Sequence, residues 1–248
     1  TTVALDNMEV SFDRLENLLQ MTSDVHYNGE LNASLFLSDF SPLMPKLRGL
    51  TNPYHIKTSF CGKGKNFDLS DMSVSDSKNL EIHGNASILD WDAGRNMYLH
   101  AQLTEFSLGD SSLKYLLNNL TGTVPPIVER LGAVRFRGSA NGYLHNLRID
   151  GDLKTAAGRL SADLLVKTDE QRKRTYNGKL VSENLDLGKI FDEKKIGKAR
   201  FNVEVKGLDM KGRYPQTYIK GNISSLEYCD YEYEDIQLDG IYKDGGFN

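Results

Sequence analysis

The chain has 248 residues, of which 39% are hydrophobic and 26% charged, with 22 glycines, 6 prolines and a formal net charge of −4. This composition excludes a disordered tail and a collagen-like fibre, and the acidic balance removes the electrostatic basis for general nucleic-acid binding. Cys61 and Cys229 are too few for a disulfide framework and fit no zinc spacing; they read best as two unrelated thiols, with a single bridge between them as the alternative.

In chain order, Thr1–Leu5 opens in a strand-like pattern, and residues 12–21 form a weak helical candidate. Leu31, Ala33, Leu35 and Leu37 then alternate with polar residues, which predicts a half-buried strand. Lys63-Gly64-Lys65-Asn66 predicts a hairpin turn. Asp110 is placed to cap a helix over 111–120 with Leu113, Leu116, Leu117 and Leu120 on one face. Pro125-Pro126 opens a second helix through Leu131 that stops at Gly132. Turns are predicted at Ala140-Asn141-Gly142-Tyr143 and Ala156-Ala157-Gly158, and the charged run 169–174 reads as a solvated hairpin tip. Leu160, Ala162, Leu164 and Val166 alternate again, residues 187–196 suggest a helix ended by Gly197, and Phe201, Val203 and Val205 alternate with Asn202 and Glu204. Ile236, Leu238 and Gly240 complete the series, and residues 244–248 read as a turn with no closing strand, as in a segment of a longer protein. No stretch approaches the roughly 18 to 20 apolar residues of a membrane helix, and the N-terminus does not read as a signal peptide.

Two weak cues recur. An apolar pair three residues apart appears as Leu5-Asp6-Asn7-Met8, Leu69-Ser70-Asp71-Met72, Leu144-His145-Asn146-Leu147 and, degraded, Ile223-Ser224-Ser225-Leu226. A second landmark, Phe40-Ser41-Pro42-Leu43, Phe106-Ser107-Leu108-Gly109 and Leu185-Asp186-Leu187-Gly188, follows a strand and opens a helix-like stretch. A spacing of about 70 residues exceeds the usual solenoid unit, so each copy holds several strands and a short helix. The expectation is a mainly β, elongated, repetitive antiparallel sheet with a few short helices, spanning 1–248 with approximate repeats 1–89, 90–168 and 169–248.

Nothing assembles a catalytic constellation, so an enzyme is the weaker hypothesis. The histidines His26, His55, His83, His100 and His145 are never at ligand spacing. Ser111-Ser112-Leu113-Lys114 matches the Ser-x-x-Lys pattern without its companion motifs. Gly62-Lys63-Gly64-Lys65 lacks the hydroxyl residue and helix of a phosphate loop. The acidic, aromatic stretch 227–235 offers groups for calcium or a basic partner, but alternation puts Glu232 and Glu234 on one face and Tyr231 and Tyr233 on the other, which favours a solvated carboxylate face. Neither a metal nor a cofactor is expected.

The segments Leu144-x-x-Leu147-x-Ile149-x-Gly151-x-Leu153, Asn184 to Phe191, and the Phe-x-Val-x-Val-x-Gly strand at Phe201 to Gly207 resemble the TamB and AsmA-like families of Gram-negative envelope proteins. The resemblance covers most of the chain. It implies a sheet curled into a groove with an apolar inside (β-taco-like), in a periplasmic segment of an inner-membrane-anchored protein. It further implies phospholipid transfer between inner and outer membranes, help with outer-membrane protein assembly, and an outer-membrane barrel partner of the TamA type. The family's N-terminal anchor and C-terminal domain have no recognisable counterpart in these residues.

On that reading the lipid-facing candidates are Leu31, Ala33, Leu35, Leu37, Ile82, Ala86, Ile88, Leu99, Leu103, Leu160, Leu164, Val166, Phe201, Val203, Val205, Ile219, Ile223, Ile236 and Leu238. The alternative is that the same residues fill a dry sandwich core, in a structural or adhesive scaffold that binds polypeptide through its sheet edges.

Overall fold

The computed structural model describes residues 1–42, 45–121, 124, 126–171, 173–208, 216–243 and 246–247. The protein is mainly β and antiparallel, and the chain divides into two units, Thr1–Glu129 and Arg130–Asn248. The first holds β1 (Thr2–Ser11), β2 (His26–Phe36), β3 (Pro53–Lys63), β4 (Asn66–Asp76), β5 (Leu80–Leu89) and β6 (Tyr98–Leu108), each paired with its chain neighbour. The second holds β7 (Val134–Tyr143), β8 (Asn146–Thr155), β9 (Gly158–Thr168), β10 (Arg174–Asp186), β11 (Ile196–Leu208), β12 (Gln216–Tyr228), β13 (Tyr231–Lys243) and the short β14 (Gly246–Phe247), again in chain order. The short α-helices are α1 (Leu15–Gln20), α2 (Asp110–Thr121), α3 (Pro126–Leu131) and α4 (Leu187–Phe191).

The second landmark marks a four-strand interval. Helical segments follow β2, β6 and β10: 3-10 turns at Leu37–Phe40 and Pro45–Leu47, then α2, then α4. Leu43 of the first copy lies outside the described residues.

The apolar pair at i and i+3 has a direct physical cause. In a regular strand such a pair falls on opposite faces, and one inserted residue returns both to the same face. Register shifts occur between Asp6 and Glu9 of β1, between Leu69 and Met72 of β4, and in the β11–β12 pairing beside Ser224. Asn7 and Asp71 take the left-handed conformation there, with φ of 50° and 51°, as short polar side chains tolerate best. Further bulges lie in β6, between Leu103 and Glu105, and in β10, between Ser182 and Leu185. The remaining copy, Leu144 to Leu147, is not a bulge but the β7–β8 turn, since Tyr143 pairs with Asn146.

Several local expectations are corrected. Asn141 and Gly142 lie inside β7, and the turn is Leu144-His145. Gly142 serves close strand approach, because a Cβ there would sit 2.4 Å from the Asn146 carbonyl oxygen. The helix expected over 187–196 ends at Phe191, where Asp192 adopts φ 61° as its C-cap and donates its N–H to the Gly188 carbonyl. The helix expected from residue 12 begins at Leu15. Asp110 is the first residue of α2 and pairs with Lys114 at 2.9 Å instead of capping from outside. Gly246–Phe247 pairs with Lys243 and Tyr242 as a short strand, where no closing strand was expected; Asp244, Gly245 and Asn248 lie outside the described residues, as do Pro125 and Arg172.

Fully buried volume is small and local. Tyr54, Leu80 and Leu108 form a cluster in the first unit, packed by Leu37, Ile82 and Phe106 and by Leu113 and Leu116 of α2. Asp76 ties this corner together, accepting from the backbone N–H of Lys78 at 2.7 Å and Leu80 at 2.9 Å, with the buried Ser112 hydroxyl 3.2 Å away. Tyr115 Oη accepts from the Thr51 N–H at 2.7 Å and donates to the Gly49 carbonyl at 2.9 Å, fixing the loop after β2 on α2.

Candidate functional site: an apolar sheet face

The ladder registers assemble the candidate residues into continuous rows. In the first unit one row runs Val3, Ala33, Ile56, Val74, Ile82, Phe106 across β1 to β6. Beside it run Phe60, Leu69, Ala86, Ala101 and then Gly62, Phe67, Ile88, Leu99. Leu31 pairs with Leu5, Leu35 with Tyr54, and Leu103 with Gly84, while Leu37 leaves the sheet and packs on the Tyr54 cluster.

In the second unit Gly138, Gly151, Ala162, Leu180, Val203, Gly221, Leu238 form one row, and Ala140, Ile149, Leu164, Gly178, Val205, Ile219, Gly240 the next. Val166 pairs with Leu147 and Tyr176, Leu160 with Leu153, and Phe201 faces Ile223, which faces Ile236. Each unit therefore presents one apolar face several strands wide.

These residues are not sealed. Of the nineteen, only Ala33, Ala86, Val203, Val205 and Ile223 are buried; the other fourteen are half-buried and none is fully exposed. A close-packed sandwich core would bury large inward side chains almost completely.

Polar side chains on this face spend their hydrogen bonds on the bulges. Buried Thr58 sits opposite the β4 bulge and donates to the Ser70 carbonyl at 2.9 Å. Buried Ser182 donates to the Arg159 carbonyl at 2.7 Å and accepts from the Asn184 N–H at 3.2 Å, inside the β10 bulge. A bulge interrupts the ladder, and unpaired backbone groups against an apolar surface are costly. The hydroxyls restore an apolar exterior. Neither residue is singled out in the sequence, because the bulge each one serves is defined only by the strand register.

Aromatic rings cover the glycines of the face. Tyr27 lies over Gly62, Phe60 over Gly29, and Tyr176 over Gly207, each directly across a strand pair.

The groups that carry chemistry are placed elsewhere. Ser111 is exposed on α2, and Lys114 is engaged by Asp110. Ser112 is fully buried beneath Asp76 and the Lys78 carbonyl. Burial, with Asp76 and Tyr115 nearby, pushes Tyr54 up to about 12. Among the described residues no three His, Cys, Asp or Glu side chains are grouped to hold a metal, and no helix is long and apolar enough to cross a membrane. Cys61 and Cys229 are both exposed and free. Gly62 to Lys65 belong to the β3–β4 hairpin, with Gly64 at φ 57°.

No family model, curated protein or solved structure matches the chain.

Proposed function

We propose that the apolar sheet face holds phospholipid acyl chains out of water, in a non-enzymatic segment working between an inner and an outer membrane. The observation that carries this reading is the incomplete burial of Leu31, Leu99, Leu164, Ile219 and the other half-buried members of the rows. Rows of aliphatic side chains with their remaining surface open match acyl chains, which offer no hydrogen bonds and need none. Moving a two-chain lipid through water unshielded costs on the order of 20 kcal/mol at about 0.8 kcal/mol per CH₂. A continuous apolar trough, formed by curling such a sheet, would offset most of that.

Contacts of this kind are non-directional and distinguish little among headgroups, so several phospholipids should bind. The location between two membranes, the assistance to outer-membrane protein assembly and the TamA-type barrel partner rest on the resemblance of segments such as Phe201 to Gly207 to the TamB and AsmA-like families.

Native mass spectrometry of the chain purified from bacteria, followed by organic extraction, tests the proposal. Co-purified phospholipid, with fluorescent lipid uptake lost in Leu164→Asp and Ile219→Asp variants that keep their strand signal, is expected. A lipid-free protein that takes up no lipid, and that unfolds on either substitution, would instead establish the dry-core scaffold.

A further inference from the structure

The sheet of the second unit is bent along one line. Ser182, Phe201, Ile223 and Ile236 are directly paired across β10 to β13. Immediately beyond this row all four strands depart from a regular ladder. β10 shifts register between Ser182 and Leu185, the β11–β12 pairing shifts between Phe201 and Arg200 and again between Ala199 and Ile196, and Asp235 of β13 takes φ 53°. A bulge bends the strand that carries it, so irregularities side by side on neighbouring strands fold the sheet along a common line.

This fold brings together two rings from opposite ends of the strands. Phe191 closes α4, at the strand end where Ile196, Tyr228 and Tyr231 lie side by side. Tyr242 lies at the other end of β13, about 35 Å from Tyr231 along an extended strand at about 3.4 Å per residue. It belongs to the apolar face, since it continues the row Val166, Tyr176, Gly207, Thr217. The rings of Phe191 and Tyr242 nevertheless meet, with centroids 6.1 Å apart and planes at 41°. A flat sheet cannot make that contact. The two strand ends turn towards each other over the apolar face, which is here the inside of a trough, and the aromatic pair spans its mouth. α4 is fixed to its own rim: Asp186 accepts from the Lys189 N–H at 2.8 Å, Lys189 Nζ donates to the Ala156 carbonyl at 3.1 Å, and Asp192 pairs with Arg130 at 3.1 Å. Phe191 itself is 50% exposed, so the pair is a surface contact between two anchored rims and not core packing.

We propose that Phe191 and Tyr242 form a gate across the mouth of this trough, parting to let a phospholipid headgroup pass and meeting again behind it. The gate rests on the reading of the apolar face as a carrier of acyl chains. Chains held in the trough leave the charged headgroup at the mouth, because burying an unpaired charge is costly. Two rings in contact leave no gap for a phosphate, so a lipid that slides along the trough, or enters it sideways at this point, meets the pair. Aromatic rings attract each other weakly, and with Phe191 half in water the contact opens without unfolding either rim, whose strands stay paired through their ladders.

The test uses the full chain with the exposed Cys61 and Cys229 replaced by serine, to which Phe191→Cys and Tyr242→Cys are added. Uptake of a fluorescent phosphatidylethanolamine from phosphatidylethanolamine–phosphatidylglycerol vesicles is followed with the introduced pair reduced, and again after a short, reductant-cleavable thiol crosslinker has joined it. Joining the rims is expected to slow uptake at least about tenfold, and to slow release equally when the pair is joined after loading, with reductant restoring both, as for a lid that must open at each passage. Phe191→Ala with Tyr242→Ala should speed uptake and leave the amount bound at saturation unchanged, which a mere loss of packing would not do. Introduced cysteines that do not crosslink, equal rates in the joined and reduced protein, or an alanine pair that takes up lipid no faster would each overturn the gate while leaving the acyl-chain reading in place. A parent protein that takes up no lipid at all would overturn both.

Discussion

The phenol ring of Tyr176 lies across Gly207, its partner on the adjacent strand, so that a Cβ on Gly207 would fall 2.3 Å from the ring. The ring cannot swing away freely, because Tyr176 Oη is hydrogen-bonded to Thr217 Oγ1 on β12 at 2.5 Å. One aromatic side chain thus fills a glycine gap in the apolar face and joins three strands. Gly207→Ala should cost about 1–3 kcal/mol by overpacking, measured by urea denaturation. The backbone at Gly207 has no unusual φ, so Tyr176→Leu in the same chain should recover part of the loss; a double variant no better than Gly207→Ala would show that the ring is not the cause.

The bulge in β10 makes a sharper prediction about a single hydroxyl. Ser182 satisfies the Arg159 carbonyl and the Asn184 N–H at once. Ser182→Ala removes few atoms yet leaves both groups facing an apolar surface, at a cost of about 1–3 kcal/mol. Ser182→Thr keeps the hydroxyl and should retain more of the stability. If alanine is tolerated as well as threonine in thermal unfolding, the bulge does not depend on that side chain.

How far the sequence reveals this architecture depends on which residues carry the signal. Period-two alternation, as in Leu160 to Val166 and Phe201 to Val205, marks strands and the shared apolar face directly, because burial on one side of a sheet writes itself into every second residue. Gly64 and Ala156-Ala157 mark turns because the local backbone demands it. The bulges escaped because an apolar i, i+3 pair looks like a broken alternation or a helical spacing until the strand partner is known. Gly142 misled for a related reason: a glycine needed for the close approach of β8 resembles a glycine needed for a turn. A row of alternating charge on the polar face, Asp163, Lys179, Glu204, Lys220 and Asp239 across β9 to β13, is invisible along the chain, since these residues become neighbours only through register.

The β12–β13 turn has two residues, Cys229 and Asp230, at φ 52° and 64° between the paired Tyr228 and Tyr231. Both central positions are left-handed, as in a type I′ hairpin, where Asn-Gly fits best. Cys229→Asn with Asp230→Gly should therefore stabilise the protein by about 1 kcal/mol, because neither replacement residue resists positive φ as strongly. The N–H of residue 229, which donates to the Lys195 carbonyl at 2.7 Å, is kept. A lower midpoint in denaturant would mean that the cysteine or aspartate side chain contributes something the turn geometry does not require.

Tyr54 couples the corner under α2 to alkaline pH. Its side chain is buried, and its Oη has no hydrogen-bond partner among the described residues. Burial above all, then the nearby Asp76 and Tyr115, raises the phenol from 10.0 to about 12. With the folded value above the unfolded one, the native state holds the proton longer, so stability is unaffected below about pH 10 and falls as pH rises from there towards 12. Tyr54→Phe removes that titration and an unpartnered buried hydroxyl together. At neutral pH the variant should be as stable as the parent or more stable by about 1 kcal/mol, and its stability should fall less between pH 10 and 12. Denaturant midpoints of the two proteins across that range give the comparison. Parallel losses would assign the alkaline transition to another group, and a clear loss at neutral pH would mean that the hydroxyl makes a contact that stabilises the corner.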